Sequence, residues 1–321
     1  MAKISVIVPC YNVSEYLSDT IDCLIKEKDN DIEIVLVNDG SKDNTIDIIK
    51  DYEKKYPKLI KVVDQHNMGL SMARNNGVKE ATGDYISFID AEDTIKEGLY
   101  KSVLEKISEY DYDMVVFGED RIFKDRHVYV EAGLEHDCKN KDEIKSIMYN
   151  IYPAACNKVY KKELLENVPF KRGVWYEDVE FIYRLLPNLN SIGLIDGHYY
   201  NYYQRDNSIT YTYNSKLYDL IDNLNSLVKY YKEKKLFDEY YAELEYVYIR
   251  YSFATFIKRL AKMKNKEEYN KGVREVMENV KKYFPNYKKN KYLSGKKGMY
   301  LKGFNKTFAK LVYMIEKDKM N

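Results

Sequence analysis

The stretch Tyr85-Ile-Ser-Phe-Ile-Asp-Ala-Glu-Asp-Thr94 is a short apolar run that ends in three carboxylates, Asp90, Glu92 and Asp93. A β-branched and aromatic run of this kind is typical of a buried strand whose carboxyl end opens into a polar crevice. In open α/β sheets, ligands bind at that edge. Carboxylates two positions apart can converge on Mg²⁺ or Mn²⁺ together with substrate phosphates, so the stretch predicts a metal–diphosphate site. The alternative is that these acidic residues only cap the next helix.

Strand-like and helix-like segments alternate on both sides of this run. The strands are predicted at residues 3–9, 32–37, 60–63 and 112–117, and the helices at about 12–26, 46–52 and 97–109. The first helix has a start that resembles a capping box at Asn12-Val13-Ser14-Glu15. Repeated alternation predicts an α/β fold with a mostly parallel, doubly wound sheet and right-handed crossovers.

The second half of the chain has a less regular pattern. A further strand is predicted at 121–132, a helix at 141–166 that includes Asn157-Lys158-Val159-Tyr160, a helix from Glu177 to Pro187, and strands at 191–196 and 198–204. From residue 215 onward the pattern is helical, with few glycines and prolines. We therefore predict a catalytic domain at 1–214 and a helical C-terminal region at 215–321.

Composition narrows the class of protein. The 321 residues are 45% hydrophobic and 32% charged, as expected of a water-soluble globular protein. No run approaches the roughly 20 apolar residues of a membrane span, and the N-terminus does not match a signal peptide. The four cysteines lack ligand spacing, which indicates reduced thiols in a cytoplasmic protein. Neither G-x-G-x-x-G nor a P-loop motif occurs, and no feature indicates nucleic-acid binding.

The charge is unevenly distributed along the chain. Residues 281–321 hold 12 lysines against Glu316 and Asp318, or +10, which leaves −9 for residues 1–280 because the whole chain carries +1. If the tail is a helix with 100° per residue, one of its faces is apolar and the opposite face is basic. The apolar face carries Leu301, Phe304, Phe308, Leu311, Val312 and Ile315. The basic face carries Lys302, Lys306, Lys310 and Lys317. This pattern predicts that residues 285–317 bind an anionic membrane surface, or that they pack on the catalytic domain or on a second subunit as a homodimer.

Three further positions carry polar groups suited to a ligand. Asp39 ends a strand and could accept a hydrogen bond from a base edge, although Asp-Gly is also a common turn dipeptide. Arg74 could contact a base or a phosphate, or be a solvated helix arginine. Glu177 and Asp178 could supply a general base, or simply cap their helix.

The order and spacing of these motifs resemble those of bacterial family 2 glycosyltransferases of the GT-A fold. The resemblance covers about residues 3–210 and rests on Val8-Pro9-Cys10-Tyr11-Asn12, Val37-Asn38-Asp39-Gly40-Ser41, Asn67-x-Gly69-x-Ser71-x-Ala73-Arg74-Asn75-x-Gly77, Gly83-Asp84-Tyr85, Phe88-x-Asp90-Ala91-Glu92-Asp93 and Glu177-Asp178-x-x-Phe181.

The resemblance implies roles for individual residues. Asp39 would bind the uracil of a UDP-sugar, with Pro9, Tyr11 and Asn12 lining the base and ribose and Arg74 near the nucleotide. Asp90 and Glu92 would stand at the DxD metal motif, and Asp178 would be the catalytic base. Arg205 and Ser208 would lie near the donor diphosphate.

One position departs from the family pattern. The third place of the metal motif is usually Asp, whereas this chain has Glu92, so Asp93 is a candidate substitute ligand for Mn²⁺ or Mg²⁺. The implied reaction is an inverting transfer of a hexosyl or N-acetylhexosaminyl group to a hydroxyl of a glycan or lipid-linked acceptor, in cell-surface polysaccharide synthesis such as that of capsule. Two alternatives are a catalytically silent sugar-nucleotide-binding protein and a sugar-phosphate phosphatase, since residues 88–94 faintly resemble an aspartyl-phosphate motif.

Overall fold

The computed structural model describes residues 3–28, 31–205 and 212–318. The chain forms two compact units. The first comprises Met1–Gly173 and Glu177–Asp206, and the second comprises Val174–Tyr176 and Asn207–Asn321.

The first unit is built on one mixed sheet. Its strands are β1 (Ile4–Cys10), β2 (Ile32–Asp39), β3 (Ile60–Gln65), β4 (Tyr85–Phe88), β5 (Thr94–Ile95), β6 (Met114–Ile122), β7 (His127–Val130), β8 (Lys158–Lys161) and β9 (Ile192–Tyr203). They lie in the order β3-β2-β1-β4-β8-β6-β9-β5, with β7 paired to β6. Strands β3, β2, β1 and β4 are parallel to one another, and β6 is parallel to β9. The predicted α/β fold is confirmed, and its parallel half brings the ends of β1, β2 and β4 to one edge.

The helices of the first unit mostly follow the predicted alternation. They are α1 (Leu17–Ile25), α2 (Thr45–Lys55), α3 (Leu70–Glu80), α4 (Leu99–Glu109), α5 (Lys141–Ile147), α6 (Lys162–Asn167) and α7 (Glu177–Leu185). Helix α3 lies very close to β1 and β2 because residue 77 is glycine: a Cβ there would be 2.4 Å from Cγ2 of Ile7 and 3.2 Å from Cγ2 of Val37.

The predicted helix at 141–166 is wrong over its centre. Only its two ends are helical, as α5 and α6, and Lys158–Lys161 is strand β8, which lies antiparallel between β4 and β6. The reason is tertiary packing, because the Val159 and Tyr160 side chains are fully buried in the sheet. A segment of four residues is too short to show a hydrophobic periodicity, so its burial in the sheet determines its conformation.

Three boundaries also differ from the prediction. Helix α1 begins at Leu17, because the expected capping residue Asn12 accepts from the Lys42 N–H instead, and the N–H groups of Val13 and Ser14 donate to Thr45 at the start of α2 and to Asp43 before it. The strand predicted at 121–132 is two strands, since β6 ends at Ile122 and β7 turns back to pair with it. The two strands predicted at 191–196 and 198–204 form the single strand β9.

The second unit is helical in its described part, which confirms the predicted C-terminal helical extension. Its helices are α8 (Asp219–Glu233), α9 (Tyr241–Ile249), α10 (Ile257–Ala261), α11 (Lys266–Tyr283), α12 (Gly295–Gly303) and α13 (Lys306–Asp318), and a π-helical segment, Arg250–Phe256, joins α9 to α10. Among the described helices, none combines the length and apolar character required to span a bilayer.

The tail is two helices where the sequence pattern predicts one amphipathic face. The break falls at Phe304 and Asn305, and the Asn305 side chain caps α13 by accepting from the N–H groups of Thr307 and Phe308. The predicted apolar face is divided accordingly. Phe304 is buried and stacks on the Phe253 ring, with 4.1 Å between centroids, whereas Leu311 is 45% exposed. The side chain of Lys317 lies outside the described residues.

Candidate active site

The loops after β1 and β2 are joined by hydrogen bonds at the carboxyl edge of the sheet. Asn12, which has φ +53°, accepts a hydrogen bond from the Lys42 N–H at 2.7 Å and donates its own N–H to the Ser41 hydroxyl at 3.1 Å. Pro9 is buried within β1, whereas the Tyr11 ring is 45% exposed. An exposed ring beside polar loop groups offers a surface on which a nucleoside base could stack.

Asp39 ends β2 and is almost wholly buried. Its Oδ1 accepts hydrogen bonds from Gln65 Nε2 and the Met68 N–H, both at 2.7 Å, and its Oδ2 accepts one from the Gly69 N–H at 2.8 Å. Gly69 adopts φ +86° directly before α3. The carboxylate therefore fixes the loop that leads into α3, and of its roughly four acceptor positions one is left for a ligand.

A single buried guanidinium holds three of the predicted carboxylates together. Arg74 Nη1 donates to Glu177 Oε1 at 3.0 Å and to Asp178 Oδ1 at 2.8 Å, while Nη2 donates to Asp90 Oδ1 at 3.0 Å. The arginine side chain is only 2% exposed, whereas the Asp90 and Asp178 side chains are 34% and 27% exposed. Arg74 thus lies beneath the crevice, and the carboxylates face outward from it.

Burial and mutual repulsion perturb the paired carboxylates at the start of α7. The pKa of Glu177 is raised from 4.5 to about 7 by burial and then by the Asp178 charge, and the Arg74 charge opposes this rise. Burial also raises the pKa of Asp178, again against Arg74. A carboxylate whose proton affinity is raised toward neutral pH suits general-base catalysis.

Glu92 and Arg205 lie together beside this cluster. Arg205 Nη2 donates to the Glu92 carbonyl oxygen at 2.7 Å, and its Nε is 3.6 Å from Glu92 Oε2. The guanidinium carbon lies 3.6 Å from the centroid of the Tyr16 ring, so the arginine is stacked and oriented. Ser208, predicted to accompany Arg205, lies outside the described residues.

Asp93 is engaged within the protein. Its Oδ2 accepts a hydrogen bond from the Tyr200 hydroxyl at 2.6 Å, and its Oδ1 accepts one from the Tyr203 N–H at 2.9 Å. The side chain is fully buried, and burial followed by the Asp90 charge raises its pKa well above the usual range. Both oxygens therefore bind β9 to the loop that follows β4.

The acidic loop fits a divalent cation in its chemistry. Asp90 and Glu92 are hard oxygen donors with partly exposed side chains, and burial followed by the Asp90 charge raises the pKa of Glu92, a repulsion that a cation would relieve. Over residues 3–28, 31–205 and 212–318, no group of three or more His, Cys, Asp or Glu has metal-binding geometry. Asp90 and Glu92 would supply two carboxylates, as Mg²⁺ sites that also use substrate phosphates commonly do.

Three of the predicted carboxylates, Asp90, Glu177 and Asp178, each contact Arg74 directly. Glu92 lies beside Arg205. Asp39 belongs to a separate hydrogen-bonded group. The sequence analysis does not identify Gln65 as a partner of Asp39. The signal is its position, because both residues end neighbouring parallel strands, β2 and β3, and lie opposite each other in the register. Ala155 is not identified either, although its N–H donates to Asp178 Oδ2 at 3.2 Å. No sequence pattern signals that contact.

Comparisons with known proteins point to one family. A family model described as glycosyl transferase family 2 matches residues 5–169. The uncharacterized glycosyltransferase EpsJ of Bacillus subtilis is 33% identical over 221 residues, which cover 64% of this chain and 62% of EpsJ. The minor teichoic acid biosynthesis protein GgaB of the same organism is 29% identical over 248 residues, covering 72% of this chain and 27% of GgaB. The chain therefore spans less than two thirds of the length of either relative.

A solved structure shows the same fold. The S. aureus TarS 1–349 crystal structure in complex with UDP-GlcNAc superposes with a TM-score of 0.74 at 20% identity, covering 98% of this chain and 89% of that one. This likeness confirms the predicted GT-A fold together with its helical extension.

Proposed function

Since the chain belongs to glycosyl transferase family 2, we propose that it moves a sugar from a UDP-sugar to an acceptor hydroxyl with inversion at the anomeric carbon. One observation carries this proposal: Arg74 binds Asp90, Glu177 and Asp178 at the edge of the sheet where the parallel strands end. That edge is where α/β sheets bind ligands. The UDP-GlcNAc in the TarS complex supports a UDP-sugar donor.

Asp178 is assigned as the general base. Its Oδ1 is held by Arg74 and its Oδ2 by the Ala155 N–H, so the carboxylate is oriented while a quarter of the side chain remains exposed. It takes the proton of the acceptor hydroxyl as that oxygen attacks the anomeric carbon, and UDP leaves from the opposite face. Glu177 shares Arg74 with Asp178, and after burial the Asp178 charge is the next cause that raises the pKa of Glu177.

The nucleotide is assigned to the loops after β1 and β2. Asp39 would accept from a uracil N–H through its remaining acceptor position, with Pro9, Tyr11 and Asn12 along the base and ribose. Arg205 is oriented by Tyr16 and would face the diphosphate, where a planar guanidinium binds phosphate oxygens in pairs. Arg74 is assigned to the carboxylates in preference to the nucleotide, because it already binds three of them.

Asp90 and Glu92 are assigned as the residues that would hold Mn²⁺ or Mg²⁺. A bound divalent ion stabilises the negative charge of a leaving diphosphate. Asp93 is given a structural role, because its side chain is fully buried and both of its oxygens accept hydrogen bonds from β9.

Thermal-shift screening of nucleotides with and without Mn²⁺ tests the donor and the metal together. UDP-sugars at 100 times their dissociation constant should stabilise the protein by about 2.7 kcal/mol, and other nucleotides should not. Asp90→Ala should abolish the Mn²⁺-dependent part of this shift more completely than Glu92→Ala, because Glu92 departs from the family pattern. Full UDP-sugar binding and transfer in excess EDTA would refute the metal role. Binding without any transfer would instead favour a catalytically silent protein.

The acceptor is assigned to a cell-surface glycan or its lipid-linked precursor, which places the enzyme in the cytoplasm at the inner membrane face. GgaB, named for teichoic acid biosynthesis, supports a cell-surface polymer. The outer face of α13 supports membrane contact, because Leu311, Met314 and Ile315 are 45%, 54% and 45% exposed there. Exposed Lys306 and Lys310 flank them, as on helices that lie on anionic bilayers. A homodimer is a separate expectation, which light scattering would test.

A further inference from the structure

Lys158 is a fully buried lysine in strand β8, next to the catalytic cluster. Its Nζ donates to three acceptors: the Tyr152 carbonyl at 2.6 Å, the Ala154 carbonyl at 2.7 Å and Asn157 Oδ1 at 2.5 Å. An ammonium group has three hydrogens, so each of them is used. All three acceptors belong to residues 152–157, so this one side chain determines the path of that segment.

The same segment carries the one backbone donor that contacts Asp178 in the described residues. The Ala155 N–H donates to Asp178 Oδ2 at 3.2 Å, and the Ala155 carbonyl accepts from the Tyr160 hydroxyl at 3.0 Å. Tyr160 is also fully buried in β8. Two buried side chains of β8 therefore hold the backbone next to the Ala155 N–H. Lys158 donates to the Ala154 carbonyl and Tyr160 donates to the Ala155 carbonyl.

We propose that Lys158 is a positioning residue for the general base: its ammonium holds residues 152–157 so that the Ala155 N–H fixes Oδ2 of Asp178, the oxygen that Arg74 does not bind. This inference rests on the proposed function, because it assigns Asp178 as the base. Without the Ala155 donor, Asp178 would keep only its bond to Arg74 and could rotate about it. A base displaced from the acceptor hydroxyl loses most of its rate advantage.

The surrounding charges are consistent with this role. Besides burial, the charges of Arg74, Asp90 and Lys158 act on the pKa of Asp178, whose own charge adds to burial in raising the pKa of Glu177 and of the Cys156 thiol. Burial lowers the pKa of Lys158 to about 7, and the Asp178 charge opposes that fall. The charged form can donate to all three acceptors around Nζ, whereas the neutral amine has only two hydrogens.

A double-mutant cycle tests the proposal. Lys158→Met keeps the length of the side chain but removes the ammonium, so kcat should fall about tenfold, a fraction of the 10²–10⁴ that a positioned base contributes, with donor KM unchanged. In the Asp178→Asn background the same change should alter kcat less than about twofold, because the group it positions is already lost. An equal fall in both backgrounds, or a rise in donor KM with kcat preserved, would overturn the proposal.

Two further variants keep the test decisive. Lys161→Met is the matched control, because Lys161 follows on the same strand but pairs with Asp111 and Asp113, and it should leave kcat unchanged. If Lys158→Met does not fold, Tyr160→Phe removes the hydroxyl that holds the Ala155 carbonyl and should show the same dependence on background. Failure of the proposed function is distinguishable, since Asp178→Asn alone would then leave kcat intact.

Discussion

Arg74 organises the candidate site at the level of single residues. Its three carboxylate partners come from the loop after β4 and from the start of α7, up to 104 residues away in sequence. A planar guanidinium can bind several carboxylates at once in a defined geometry, since it has five donors in a fixed fork. Its burial leaves the carboxylates partly exposed and oriented toward the crevice.

The raised pKa of Glu177 should appear in the pH dependence of stability. The folded protein binds this proton more tightly than the unfolded chain, so the contribution of Glu177 is fully present below pH 4.5 and is lost as the pH rises to about 7. Glu177→Gln cannot ionise. The Tm difference, wild type minus variant, should therefore decrease between pH 4.5 and 7 and level off above that range. A difference that is constant or increases over this range in calorimetry would contradict the assignment.

Asp39→Asn should weaken UDP binding by about 1.5–3 kcal/mol, because a charge-assisted acceptor for the base is lost. The variant should also lower Tm, since Asp39 accepts hydrogen bonds from the backbone of Met68 and Gly69. Calorimetry of UDP binding measures the first effect. Asp64→Asn is the control, because Asp64 lies at the same edge but bonds only to Asn38 in the described contacts. UDP affinity equal to that of the wild type would refute the uracil role of Asp39.

The sequence alone identifies the candidate site residues better than it identifies the residues with which they form ion pairs. Asp39, Asp90, Glu177 and Asp178 are detectable because each lies at a strand end or a helix start, where carboxylates bind ligands. The ion pairs of Arg74 with Glu177 and Asp178 join positions 103 and 104 residues apart, and no local pattern encodes such a contact. From the sequence, Arg74 is therefore predicted to contact the nucleotide. In the structure its guanidinium binds three carboxylates and lies beneath them.

Among the elements, helix α3 connects the loop proposed to bind the nucleotide to the carboxylates proposed to act in catalysis. It begins after Gly69, which donates to Asp39, and it carries Arg74 on the face toward the sheet. Its close approach to β1 depends on the absence of a side chain at Gly77.

Gly77→Ala should therefore destabilise the protein by about 1–3 kcal/mol, the usual cost of overpacking. The added methyl would lie 2.4 Å from Ile7 Cγ2, so the Ile7 side chain or the helix must shift. We expect the helix to move and displace Arg74, so that kcat falls as well. Denaturant unfolding and turnover measure the two effects. Gly303→Ala is the control, because nothing lies within 4 Å of a Cβ there. Equal stability of the two variants would contradict this account of α3.

Strand β8 shows why the prediction of secondary structure from the sequence fails at Lys158–Lys161. Lys158–Lys161 has only four residues, with no helix or strand period, and its conformation follows from insertion between β4 and β6. The parallel half of the sheet was predictable because its units are contiguous strand–helix repeats. The antiparallel half depends on pairing between distant segments.

At the scale of the whole molecule, the positive charge of the C-terminal region and the exposed apolar face of α13 support the membrane proposal. The triple change Leu311→Gln, Met314→Gln and Ile315→Gln should abolish co-sedimentation with anionic vesicles and spare transfer to a soluble acceptor. These side chains are exposed, so Tm should change little. Tyr110→Gln alters a side chain of similar exposure in the first unit and is the control. Undiminished vesicle binding by the triple variant would exclude this surface.

Asp178 is proposed as the base of a UDP-sugar-dependent transfer, and the rate of UDP release measures that role. UDP should be released from at least one UDP-sugar in the presence of Mn²⁺ and a glycan acceptor. Asp178→Asn should slow that release by about 10² or more while binding UDP with unchanged affinity. Release by Asp178→Asn at the wild-type rate, or no release by the wild type from any UDP-sugar, would contradict the account.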